Sequence, residues 1–268
     1  MGGTDSRGCR GSSSDPGGGE QPPPPVRQRV QHPVAYARGH RGVLRPGQHI
    51  RAGLGPSRWR TPHQGAVGDH EAMTRTLSTP PTLTTGRLAG APQPVLPVAG
   101  CGLLLRPWER ADARAFLSAY EDEETRRWHT HRPSTEAEVR EWFDGYRQDW
   151  EREKGCHWAV ARDSGEVLGR MALRGVDFAD GVANAAYWVL PAARGAGVAS
   201  RALAAVSAWA LDGIGFHRLE LDHSTRNDAS CRVATKAGYL LEGTRRSAAV
   251  HDDGRHDMHL HARVRGDR

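Results

Sequence analysis

Lysine is nearly absent from this chain. Of its 37 Lys and Arg residues, only Lys154 and Lys236 are lysines. A phosphate-binding P-loop needs a lysine directly after its last glycine, so no stretch qualifies. Cysteine is sparse and scattered. Cys9, Cys101, Cys156 and Cys231 form no C-x-x-C pair and no metal-ligand spacing, which excludes a zinc knuckle and suits a reducing cytoplasm. No apolar run approaches the roughly 20 residues of a membrane span. Nor does a signal-peptide core of about 7–15 apolar residues follow Met1, so no membrane partner is expected. Proline all but disappears beyond residue 99: 14 of 17 prolines and 16 of 32 glycines lie in residues 1–99. That segment also holds 12 Arg against 5 acidic residues, whereas residues 100–268 hold 25 basic and 26 acidic side chains. The formal charge of +6 therefore belongs to the front of the chain, and the rest is no nucleic-acid binder by charge.

Two regions follow from this. Residues 1–99 are Gly/Pro/Arg-rich, lack helical or strand periodicity, and are expected to be disordered. The scarcity of lysine beside abundant Arg, Ala and Gly suggests GC-rich coding, and residues 1–72 read as lying upstream of a natural start at Met73. Residues 100–268 read as the folded domain. "GLLLRPWERADA" (102–113) is a short strand leading into a helix, and 121–133 is a polar connector. Thr135 and Glu138 form a capping box for a helix with one apolar stripe, Val139, Trp142, Phe143, Tyr146 and Trp150. Three strand-like runs follow in "CHWAVAR", "VLGRMALRGV" and "VANAAYWVL". A helix, a strand, a short helix and two strands close the chain. The order β-α-α-β-β-β-α-β-α-β-β is an α+β layer architecture.

The stretch "YWVLPAARGAGVAS" (187–200) runs from a strand through Gly195-x-Gly197 into a helix, a place that favours a phosphate. A dinucleotide fingerprint fits poorly despite Asp222 at a plausible distance. The third small residue is Ser200, four residues separate the strand from Gly195, and the strands upstream form a meander.

The six positions Ala192–Gly197 resemble the [QR]-x-x-G-x-[GA] acetyl-CoA loop of the GCN5-related N-acetyltransferase (GNAT) superfamily, departing at the first. Downstream, Asn227, Ser230, Val233, Lys236, Gly238, Tyr239, Glu242 and Gly243 match its later half. "LLLRPWERADA" (103–113) resembles the start of the RimJ/RimL-type branch. The resemblance covers about 103–264 and implies a GNAT fold: a central mixed, mostly antiparallel sheet flanked by helices. It implies acetyl-CoA as cosubstrate, with acetyl transfer to an amine by direct attack. The acceptor is read as a protein N-terminal amine, with a small-molecule amine (antibiotic, amino acid or polyamine) as the alternative. An acyl-CoA-binding module without turnover is the competing class.

Carried over by resemblance, Tyr187, Val189 and Leu190 lie along the pantetheine, with a backbone N–H near Val189 facing the thioester carbonyl. Arg194, Gly195, Ala196, Gly197, Val198 and Ala199 cradle the pyrophosphate. Asn227 bonds the cofactor, and Ser230 bonds or protonates the departing thiolate. Asn227 is equally a good helix N-cap. Tyr239 is a rival acid but fits a core position. Glu220 and Asp222 share a strand face, and either is a candidate base through a water; Glu220 is carried forward with Ser230 and Asn227. Trp128, His129 and His131 are placed at the acceptor pocket. Asp257, His259 and His261 share a strand face that invites a metal. Ligands alternating along one strand diverge, however, so a polar face and no metal are expected.

Overall fold

The computed structural model describes residues 79–267. The expectations of disorder and of a start at Met73 fall mostly on residues 1–78, outside the described residues. From residue 79 onward the compositional boundary fails. Leu83 and Leu88 are buried, and the carboxylate of Glu153 accepts from the backbone N–H groups of Gly86, Leu88 and Ala89 at 2.8, 2.7 and 3.3 Å. Trp150 and Trp158 donate their indole N–H to the carbonyls of Ala91 and Pro94. The Pro-rich arm needs no periodicity because these side chains hold its backbone one group at a time.

The arm ends in β1 (Leu96–Val98), followed by β2 (Leu103–Pro107) and a 3-10 turn at Arg110–Asp112. Three helices come next: α1 (Ala113–Ser118), α2 (Glu123–Trp128) and α3 (Glu136–Glu151). The meander is β3 (Gly155–Arg162), β4 (Val167–Asp177) and β5 (Val182–Val189). The remainder is α4 (Val198–Ala208) with a π-helical turn at Trp209–Ile214, then β6 (Arg218–Ser224), α5 (Asp228–Lys236), β7 (Leu240–His251) and β8 (Gly254–Val264). Compared with the sequence reading, β1 and α2 are additional. β1 is three residues long and contains Pro97, which only an edge strand tolerates. The one-and-a-half turns of α2 are too short to show a period, and its N-cap Asp122 accepts from Thr125 N–H at 2.8 Å. In α3 the Thr135 cap forms as expected, with Oγ1 accepting from Glu138 N–H at 3.2 Å. The reciprocal Glu138 carboxylate reaches Ser134 N–H.

The eight strands form one sheet in the order β1-β2-β3-β4-β5-β6-β8-β7. All neighbours are antiparallel except β5 and β6. That parallel pair holds over only Val182↔Arg218, Ala183↔Leu219 and Asn184↔Glu220. Beyond it β5 stays on β4, β6 stays on β8, and the sheet opens between them. On one face Ala183, Leu219 and Leu221 join the aliphatic core with Ala202, Leu203 and Val206 of α4 and Ala234 of α5. On the other, Trp188 joins an aromatic cluster with Trp108, Phe116 and Phe143. Among the described residues no helix is long and apolar enough to cross a membrane.

Candidate active site

The gap between β5 and β6 exposes backbone. Leu190 N–H donates to Leu168 C=O at 2.8 Å. By antiparallel alternation Trp188 therefore bonds towards β4, while Tyr187 and Val189 turn their backbone groups to the gap. A tight passage follows, a turn at Pro191–Ala193 and then Gly195 and Gly197 at φ +78° and +74°. An L-residue with a Cβ rarely adopts that left-handed conformation, so glycine is needed at both positions. Gly197 caps α4 without any side-chain hydrogen bond, and no acidic residue sits in the first turn. The first N–H groups of α4 therefore keep their unpaired, partly positive ends.

A cavity of about 430 Å³ occupies this gap. Tyr187, Trp188 and Val189 line it from β5, Gly195 and Gly197–Ser200 from the loop and α4, and Asn227 and Ser230 from α5. Glu124, Thr125, Trp128 and His129 close it from the α2 side. At its centre the Tyr187 hydroxyl lies 2.7 Å from Ser230 Oγ. Burial pushes the Tyr187 phenol up to about 12, with the Ser230 bond pulling back, so this hydroxyl pair stays protonated at neutral pH. Asn227 acts as a cap: its Oδ1 accepts from Ser230 N–H at 3.0 Å, which fixes the serine opposite the tyrosine.

Several expected residues are placed otherwise. The Arg194 guanidinium is turned to α2, bonding Asp122, Glu124 Oε2 at 2.8 Å and Thr125 Oγ1 at 3.0 Å, while its Nε meets Val189 C=O at 3.3 Å. It clamps the loop to α2 instead of meeting a phosphate, and it holds the Asp122 carboxyl below its usual range. Leu190 packs against the aromatic cluster, and Ala196 points to solvent between the two glycines. Glu220 does not line the cavity. Its carboxylate is held by Arg218 Nε at 2.8 Å, and Arg218 also binds Glu242. That lock is the physical reason against Glu220 as the base. Asp222, its neighbour on the same strand face, lies 2.6 Å from Arg245. Burial, then the Glu220 charge, raise the Asp222 carboxyl, against the opposing pull of the Arg174 guanidinium. His131 stacks on Trp142 with centroids 5.3 Å apart and stays outside the cavity. Trp128 and His129 do line it, and burial drives the His129 imidazole down to about 3. Tyr239 is core, 1% exposed, with its hydroxyl on Ser207 Oγ at 2.8 Å.

The sequence reading missed two cations in the cavity wall, Arg232 and Lys236 on α5. Their spacing of four on one helix face was the available signal. It also missed a feature of the far sheet face. Arg170 and Arg174 stand four residues apart on one side of β4, Arg170 directly across from Trp188 and Arg174 across from Asn184. Arg170 is 8% exposed, lies over the Tyr146 ring at 5.4 Å, and meets His157 Nδ1 at 3.1 Å. Neither guanidinium has a carboxylate within ion-pair distance among the described residues.

Residues 102–240 match the family described as Acetyltransferase (GNAT) domain. The chain belongs to this family. It is an acetyltransferase, with the mixed sheet, the β5–β6 opening and the glycine-capped helix in one continuous unit. Solved structures share the fold. One described as a probable acetyltransferase is 20% identical with a TM-score of 0.59, over 63% of this chain and 96% of that one. RimL, a ribosomal L7/L12 alpha-N-protein acetyltransferase in complex with coenzyme A, is 20% identical with a TM-score of 0.58, over 64% and 98%. RimJ of Mycobacterium smegmatis, in complex with a CoA disulfide, is 23% identical with a TM-score of 0.57, over 64% and 86%. No curated protein sequence matches the acetyltransferase.

Proposed function

We propose that this acetyltransferase uses acetyl-CoA to acetylate a primary amine by direct attack, in the manner of the RimJ/RimL-type branch. The carrying observation is the placement of an uncapped helix N-terminus, an unpaired strand edge and a paired donor hydroxyl around one cavity. The residues fit the cosubstrate. N–H groups from Gly195 to Ser200 would receive the pyrophosphate, and Arg232 and Lys236 would meet phosphate charge. The β5 edge at Tyr187 and Val189 would hydrogen-bond the pantetheine arm and, through an N–H, the reacting carbonyl. Bound acetyl-CoA supplies the activated thioester. The Tyr187–Ser230 pair then holds a proton beside the sulfur, available to the departing thiolate. Asp222 is paired with an arginine and lies outside the cavity lining, as Glu220 does, but burial raises its carboxyl to about 6, and this reading gives it the proton of the incoming ammonium through water.

The acceptor reading is sharpened by Arg170 and Arg174. Two guanidiniums in no close ion pair, with Asp222 acting on Arg174 from farther off, suit an amine with an acidic group a few bonds away. An N-terminal segment with an acidic side chain and a free amino acid both qualify. RimL as an alpha-N-protein acetyltransferase favours the former; polyamines, the substrates of a spermidine N-acetyltransferase neighbour, are disfavoured. The test is thiol release from acetyl-CoA by the purified full chain across acidic and basic N-terminal peptides, amino acids and polyamines. Faster release with acidic acceptors, with an elevated KM for them in Arg174→Ala, is the expected result. Acetyl-CoA binding without release from any acceptor would make the protein a binding module instead.

A further inference from the structure

Behind β6, on the sheet face covered by α5, three histidines and a cysteine converge. His223 of β6 stands directly opposite His259 of β8, and His261 is opposite Leu221, two positions along on the same side. The rings of His223 and His259 are 5.3 Å apart at 85°, and those of His223 and His261 5.1 Å apart at 26°. Cys231 descends from α5, with Sγ 3.8 Å from His261 Nε2. One ligand atom from each of the four lies within 4.8 Å of every other. For a tetrahedral zinc with ordinary Zn–N and Zn–S bonds, the donor–donor edges are about 3.3–3.7 Å. A closure of at most about 1.5 Å on the widest pair would complete the shell.

The protonation pattern suits a metal. His223 is 5% exposed, and its Nδ1 lies 2.8 Å from Ser224 C=O. A donor proton on Nδ1 leaves Nε2 as a bare lone pair, and Nε2 has no partner. A ligating histidine with its second N–H on a backbone carbonyl has this arrangement. His261 is 1% exposed, and the buried Nδ1 of His259 has no hydrogen-bond partner among the described residues. Orphaned buried nitrogens cost free energy that a bound cation would recover. With three imidazoles, one thiol and no carboxylate, the donor set selects a borderline-soft cation over magnesium or calcium.

We propose that His223, His259, His261 and Cys231 bind one zinc ion in a closed structural site that ties α5 to β6 and β8. Four protein ligands leave no open position for catalysis. The site's effect on the reaction runs through α5, since Cys231 is adjacent to Ser230, which faces Tyr187. Along β8 alone the ligands would diverge, and Asp257 takes no part. Asp257 turns away to accept from Ser247 N–H at 2.7 Å. The convergence comes from the β6–β8 pairing and from α5.

The experiment uses the untagged full chain. Zinc is measured by elemental analysis in wild type, Cys231→Ser and His259→Asn, alongside titration of chelator-treated protein with Co²⁺. Expected for wild type are about one zinc per chain and a tetrahedral Co²⁺ spectrum with a thiolate charge-transfer band. Both variants should lose zinc affinity by at least about 100-fold, and Cys231→Ser should lose the charge-transfer band. Zinc should raise the melting temperature of wild type only. The histidines outside the described residues, such as His63 and His70, are common to all three proteins, so the difference isolates this site. Substoichiometric zinc in wild type, a Co²⁺ spectrum unchanged by Cys231→Ser, or equal stabilisation of all three proteins would overturn the proposal. If Cys231→Ser or His259→Asn fails to fold, His261→Gln replaces it as the second ligand variant.

Discussion

The cavity at the end of β5 and the histidine–cysteine cluster behind β6 lie on either side of one departing strand. They are assembled in opposite ways. The cavity's phosphate end is contiguous chain, with Pro191 to Ser200 turning once and opening a helix. Its chemistry is backbone chemistry, N–H groups left unpaired by geometry. The cluster draws on β6, α5 and β8, which meet only because β8 inserts between β6 and β7 in the sheet. Its chemistry is entirely that of side chains. A local backbone site tolerates change in side chains but not in φ, whereas a long-range side-chain site does the reverse.

The hydroxyl pair joins the two regions, and its loss should have the largest effect. Tyr187→Phe is expected to lower kcat by roughly 10²-fold, with the KM for acetyl-CoA moved only a few-fold, as read by steady-state thiol release. Ser230→Ala should also lower turnover more than affinity. The double variant should cost little more than the worse single change, since the two act as one unit. Additive losses would mean that the two hydroxyls act independently and not as a pair. Next comes the backbone end. Gly197→Val forces a β-branched residue to φ near +74°, at a cost of at least about 1–2 kcal/mol. It also places methyl groups where the pyrophosphate would approach. Calorimetry should show acetyl-CoA binding weakened roughly 10- to 30-fold. The same change should leave zinc stoichiometry intact, which separates the two regions directly.

The legibility of the two regions follows their construction. Gly195, Gly197 and the capping residue Asn227 act within a few positions of themselves, so their spacing in the sequence already carried their roles. Arg194 misled because its sequence position does not reveal α2, whose Asp122 and Glu124 claim the guanidinium. Glu220 misled for a similar reason: Arg218 on its own strand and Glu242 across the sheet decide its state. The cluster was half visible as His259-x-His261. Its other half depended on strand order, which no local pattern encodes. The arm at 79–99 was illegible because it is held by single hydrogen bonds from Glu153, Trp150 and Trp158 rather than by a periodic apolar face.

The Arg194 clamp should matter less than the glycines. Arg194→Gln removes partly exposed ion pairs to Asp122 and Glu124, worth about 1 kcal/mol after solvent screening. The expected outcome is a slightly lower melting temperature and a KM raised about three- to tenfold for both substrates, since α2 closes the cavity from one side. An effect on acetyl-CoA alone, as large as that of Gly197→Val, would return Arg194 to the phosphate.

A pH effect contrasts two kinds of buried histidine. His157 is 4% exposed, with Nδ1 accepting from Arg170 and Nε2 facing the Asp149 carboxylate at 3.3 Å. Burial pushes it down to about 4 against the pull of Asp149, while the unfolded chain titrates near 6.5. The unfolded state therefore binds more protons between those values. Stability should fall as pH drops below about 6.5 and level off near 4, by up to about 3 kcal/mol. Denaturant titrations across that range should show a shallower slope for His157→Gln than for wild type, with or without zinc. The cluster histidines lack such partners, so their share of the acid loss should depend on metal: zinc would protect them until protons displace it. A pH slope that zinc leaves unchanged, in wild type as in His157→Gln, would mean that the cluster is held as neutral imidazoles alone.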